Sequence, residues 1–229
     1  MKGKVKGIIQ LALSILIFVL FNQFYYKVLG LFKFNLSGIG YDIANFIKYL
    51  LISLIVFVIY YGNIKSGKHK FNKTLLNSFL YCLACFVFLI VVTILLHKLL
   101  NYLGASRGIT VGYEFSNYFS QKFTAKFALS FVVETIFMPF LLCIIFTLGF
   151  SNIIKKSVPA AVIAGLVYGV IYALGLKASF EYSLFHAVTP ATIIMMLTYL
   201  YKNNHNIYSV VVTYICYILF GTFALSYIL

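Results

Sequence analysis

Long apolar stretches alternate with short segments rich in Lys, Asn, Gly and Ser along the chain. Within the stretches the apolar residues run all the way round a helical wheel. That pattern belongs to helices buried in hydrocarbon, not to the one-sided helices of a soluble domain. Seven stretches approach or exceed the roughly 20 apolar residues needed to cross a bilayer as a helix. They are Gly7–Tyr26, Ile43–Ile64, Leu75–Leu96, Phe127–Ile154, Ser157–Leu176, Tyr182–Tyr201 and Asn206–Leu229. The first, third, fifth and seventh carry no charge, the second holds Lys48, the fourth holds Glu134, and the sixth has His186 as its titratable group. The pattern predicts an all-α polytopic membrane bundle of seven helices, or eight if a further interfacial or re-entrant helix lies within 102–123. Lys48 stands near one end of its span, where its long side chain is expected to snorkel to the headgroups.

Composition agrees with this pattern. The 229 residues are 63% hydrophobic and 10% charged, with a mean hydropathy of +1.01. So few charges cannot cover a water-facing globule, in which about a quarter of residues are charged. The net charge of +14 is spread over the connections instead of forming a patch, which argues for topology and lipid contact and against nucleic acid. With seven crossings, ten Lys fall on one side (Lys2, Lys4, Lys6, Lys65, Lys68, Lys70, Lys73, Lys155, Lys156, Lys202). The other side receives seven basic residues (Lys27, Lys33, Lys98, Arg107, Lys122, Lys126, Lys177) with Asp42, Glu114 and Glu181. Positive charge favours the cytoplasm, so a multi-pass cell-membrane protein with a cytoplasmic N-terminus is expected. The first span follows three lysines without a small-x-small cleavage site and reads as a retained helix.

Candidate chemistry is sparse. Glu134 is the one carboxylate in a span, seven residues past Phe127 and so about 10 Å deep. An ionisable group at that depth marks a functional hypothesis, and hydrocarbon favours its neutral form, which both donates and accepts hydrogen bonds. In the fifth span Ala161, Gly165, Gly169 and Ala173 recur every four residues, a stripe that admits close helix packing and predicts a central position for that helix. Tyr168 and Tyr172 lie on an adjacent face as possible partners for Glu134. The Cys82-x-x-Cys85 pair has no second pair of ligands, and buried thiols pack as small apolar residues. His97, His186 and Glu134 stand at unequal depths, short of a zinc site. No metal or cofactor is expected.

From the fourth span onward, the motif order resembles the CPBP family (CAAX-protease and bacteriocin-processing, or Abi, proteins), which are glutamic intramembrane proteases. The family pattern Glu-Glu-x-x-x-Arg meets Val133, Glu134 and Met138, so only the second Glu is present. Phe-x-x-x-His meets Tyr168 and Tyr172, and the later His motif falls near Tyr214 and Tyr217. Phe131–Glu134 and the Leu197–Lys202 run resemble the degenerate branch related to lysostaphin resistance protein A. The resemblance implies a first segment of helices and an outer loop over 1–123, and a CPBP-like core over 124–229. Tyrosine titrates near pH 10 and is a poor base at neutral pH. The resemblance therefore implies a degenerate homologue that binds a membrane or cell-envelope protein through its transmembrane segment. The alternative is an active intramembrane glutamic endopeptidase with an atypical site on Glu134. Less favoured is the substrate-binding membrane subunit of a transporter, because the spans hold few polar residues for a hydrophilic solute.

Overall fold

The computed structural model describes the backbone of residues 2–31, 38–73, 75–111, 124–176 and 178–225, and side chains within 4–31, 38–65, 79–111, 124–176, 178–223. Among the described residues there is helix and no strand. The helices are α1 (Lys2–Leu31), α2 (Ile39–Lys73), α3 (Leu75–Ala105), α4 (Ala125–Ile153), α5 (Ser157–Gly175), α6 (Phe180–Asn204) and α7 (Ile207–Phe220). Six are long and apolar enough to cross a membrane, and the seventh is a shorter apolar helix. The connection at 112–123, which includes Glu114 and Lys122 and the place of any extra helix, lies outside the described residues, as does Lys33.

Local sequence sets the helix ends. Thr124 caps α4 by accepting from the Phe127 N–H, and Asn206 caps α7 by accepting from the N–H groups of Tyr208 and Ser209. Each cap satisfies donors that a helix start leaves open. His205, left-handed at φ 54°, ends α6. Lys202, expected in a connection, instead lies in the last turn of α6. Its Nζ donates to the Ser151 carbonyl at 3.0 Å, where the end of α4 exposes unpaired carbonyls and the negative pole of its dipole.

α4 is the central element, which corrects the expectation that α5 would be. It touches α1, α2, α5, α6 and α7, and Leu141, Cys143, Ile145 and Phe146 are fully buried. The small-residue stripe of α5 does pack closely, its glycines against α6, while Val158, Leu166, Val170 and Leu174 face outward. Small residues permit one close neighbour, whereas a centre needs bulky side chains on every face to fill the surrounding space. α3 lies along α6 and α7. Near the end of α4, Gly149 admits α1 and α2, since a Cβ there would stand 2.8 Å from both Leu11 Cδ1 and Tyr60 Oη.

α4 also departs from regular helix geometry. Pro139 has no N–H, so the Thr135 carbonyl loses its normal donor. The chain widens into a π turn over Val133–Phe137, where the Met138 N–H reaches five residues back to the Val133 carbonyl. A second wide turn spans Cys143–Leu148. Such turns re-aim side chains and often occur at functional sites.

Candidate functional site

The bundle has two ends of different character. The basic end carries Lys65, Lys155 and Lys202, and the far end carries the starts of α2, α4 and α6. Glu134 sits in the first π turn of α4, toward the far end, and is exposed at the bundle surface. This half of α4 packs on α2 and α7. Phe137 meets Phe46 edge-on at 5.4 Å, and Glu134 interacts electrostatically with Tyr49. The expected partner Tyr168 stands opposite the other half of α4. Tyr168 packs on Phe146 at 4.9 Å and on Tyr172 at 6.1 Å. Phe146 follows Glu134 by twelve residues, about 18 Å along the helix. α5 meets the second half of α4, and the depth of Glu134 belongs to α2 and α7 instead.

The other motif positions are also dispersed. Val133 is buried, Met138 is half-buried, and both are apolar in the α4 packing. Tyr214 and Tyr217 face the core from α7. The Tyr217 hydroxyl shares a 2.8 Å hydrogen bond with Thr93 Oγ1 of α3, joining residues 124 apart in sequence. His186, at the far end of α6, lies against Tyr182 with ring centroids 4.1 Å apart. Next to it Arg107 pairs with Glu181 and lies over the Phe185 ring. His97 shares a hydrogen bond with Asn101. Among the described residues no three of His, Cys, Asp and Glu converge as metal ligands. Cys82, Cys85, Cys143 and Cys216 are free thiols.

The α5 stripe and its partner form the tightest interface. A Cβ on Gly165 would overlap Met195 and stand 2.6 Å from the Ala191 carbonyl oxygen, and one on Gly169 would stand 2.9 Å from the Ala191 Cβ. Ala161 is buried and Ala173 half-buried in the same row. At the basic end of this interface a groove of about 620 Å³ opens between α3, α5 and α6. Its wall on α3 is Tyr81, Ala84, Cys85 and Phe88, and its wall on α5 is Val158, Ala161 and Val162. Met195, Met196 and Tyr199 line it from α6. A second groove of about 490 Å³ runs along the far-end half of α5 and α6, over Gly169, Ala173 and Ala187.

A polar cluster between α1 and α2 was not legible as a site from the sequence. Lys48 is 5% exposed. Its Nζ lies 4.3 Å from the Tyr49 ring centroid and 5.0 Å from that of Tyr26. The Tyr26 ring stacks at 4.8 Å on Tyr41, so the ammonium is lifted toward the end of α2 but is roofed by aromatic faces that attract a cation. The Tyr26 hydroxyl donates to Asn45 Oδ1 at 2.9 Å, and the Tyr49 hydroxyl donates to Asn22 Oδ1 at 3.1 Å. Asn22 and Asn45 inside helices beside a lone Lys were the available signal. The helix alignment that unites them was not.

No family model, curated protein or solved structure matches this chain. The class that the fold defines is a polytopic all-α membrane protein whose outward apolar faces meet lipid. More particularly, it is a bundle built around a π-bulged α4, with a lateral groove beside its closest helix pair.

Proposed function

We propose that this chain is a catalytically degenerate membrane protein of the CPBP type that binds the transmembrane helix of another membrane or cell-envelope protein. It would sit in the cell membrane with its basic end cytoplasmic. The observation that carries this reading is the groove between α3, α5 and α6. Tyr81, Ala84, Cys85 and Phe88 follow an i, i+3, i+4, i+7 spacing, one face of α3 over two turns. Val158, Ala161 and Val162 supply the matching face of α5. A trough two turns long, with alanines on its walls, suits the ridge of an incoming helix, because small residues let helix backbones approach in lipid. Met195 and Met196 provide a wall that adapts to the shape of the ridge. Binding in place of cleavage is supported by the positions where the resemblance requires histidine, which hold Tyr172 and Tyr214, and by the depth that separates Tyr168 from Glu134.

The test places a photo-crosslinking residue at Tyr199 or Tyr81 in the groove and, as a control, at Leu20 on the lipid-facing side of α1. A transmembrane partner should be captured from the groove positions, at its intact mass, and lost when Ala84→Trp fills the groove. Glu134→Gln should leave capture and protein level unchanged. Equal capture at Leu20 would defeat the groove. A partner cleaved by wild type, with processing reduced by at least ~10²-fold in Glu134→Gln, would establish the peptidase instead.

A further inference from the structure

We infer that the polar cluster between α1 and α2 is a binding site for a zwitterionic phospholipid headgroup. The lipid phosphate sits on Lys48 and Asn45, and its primary ammonium sits on Asp42. This site is separate from the groove and does not depend on it. A buried ammonium in hydrocarbon is costly unless paired, and Lys48 has aromatic faces but no carboxylate within ion-pair distance among the described residues. The amide oxygens beside it each already accept one hydrogen bond. Asn45 Oδ1 takes the Tyr26 hydroxyl and Asn22 Oδ1 takes the Tyr49 hydroxyl, while Asn22 Nδ2 donates to the Phe18 carbonyl. Among the described residues, the groups at this level that have no hydrogen-bond partner are donors, the three Lys48 protons and the Asn45 amide, which lie three residues apart on one face of α2. Donors without acceptors, around a positive charge, complement an anion.

A separate observation supplies the other half. Asp42 Oδ2 is buried with no hydrogen-bond partner, and Asp42 precedes Asn45 by three residues on the same face, about 4.5 Å nearer the helix end. The order along α2 is thus an unpaired acceptor at headgroup level and unpaired donors one turn deeper. The order in a phospholipid bearing a primary amine is the same, with the ammonium outermost, the phosphate beneath it and the acyl chains below. Tyr41, which is exposed, and Tyr26 flank the approach, as aromatic residues commonly do where membrane meets water.

The experiment uses the full chain in a non-ionic detergent, with native mass spectrometry reading the affinities for dioctanoyl phosphatidylethanolamine and dioctanoyl phosphatidylglycerol. Soluble phosphoethanolamine serves as competitor. Wild type should bind the ethanolamine lipid about tenfold or more tighter than the glycerol lipid, the scale of one charge-assisted contact. Lys48→Met should weaken both lipids by about tenfold or more. It removes a buried charge at similar length and so should fold. Asn45→Ala gives an independent reading and should weaken both lipids while Lys48 remains. Asp42→Asn should erase the preference for ethanolamine and leave the glycerol lipid unaffected. Unchanged affinities in Lys48→Met and Asn45→Ala would overturn the site, and equal wild-type affinities for the two lipids would overturn its ammonium half. Phosphoethanolamine competing as tightly as the lipid would reassign the site to a soluble zwitterion and overturn the lipid proposal.

Discussion

Gly165→Ala adds a single methyl group where α5 and α6 meet most closely. That methyl would overlap the Met195 side chain and stand 2.6 Å from the Ala191 carbonyl oxygen. Met195 can change rotamer, but the carbonyl is fixed in the backbone of α6, so the helices must part by most of an ångström to restore ordinary contact. A gap of 0.5–1 Å forfeits about a quarter to a half of the dispersion attraction of each contact it opens. The loss runs along the row from Ala161 to Ala173. The expected cost is about 1–3 kcal/mol, the range for an overpacked interior, and larger for Gly165→Leu. Gly62→Ala is the internal control, because no atom lies within 4 Å of a Cβ there. By helix propensity that change should be neutral or stabilising, by up to about 1 kcal/mol. Unfolding of the purified protein in detergent, by heat or by denaturing detergent, measures both variants. Equal stabilities of Gly165→Ala and Gly62→Ala would refute close packing of α5 on α6.

Three further outcomes follow from the packing. Tyr217→Phe removes the buried bond to Thr93 and should cost about 0.6–1.7 kcal/mol, the range for hydrogen bonds between membrane helices; the same detergent unfolding reads it, and Thr93→Val on top of it should add little. Lys202→Met removes the bond to the Ser151 carbonyl and should lower stability by about 1 kcal/mol, whereas Lys202→Arg should retain most of it. Reporter fusions at Lys155 and after Leu229 should give cytoplasmic and external signals respectively, and a cytoplasmic signal after Leu229 would overturn the odd number of crossings.

The sequence alone was enough for the class of fold and the positions of the helices. A chain this apolar must satisfy its backbone groups within each segment, which in lipid leaves helices as the outcome for stretches of this length. The stripe from Ala161 to Ala173 was legible for a similar reason, since a period of four places small residues on one face whatever the surroundings. Which helix occupies the centre was not legible, because α4 and α5 are both apolar on every side and periodicity then says little about which faces meet protein and which meet lipid. The neighbours of Glu134, the Thr93–Tyr217 bond and the aromatic roof over Lys48 all depend on the relative depth and rotation of helices far apart in the chain. Depth and rotation are set by how bulky and small side chains interlock across several helices together. Glu134 is therefore placed beside α2 and α7 by packing that no single segment encodes.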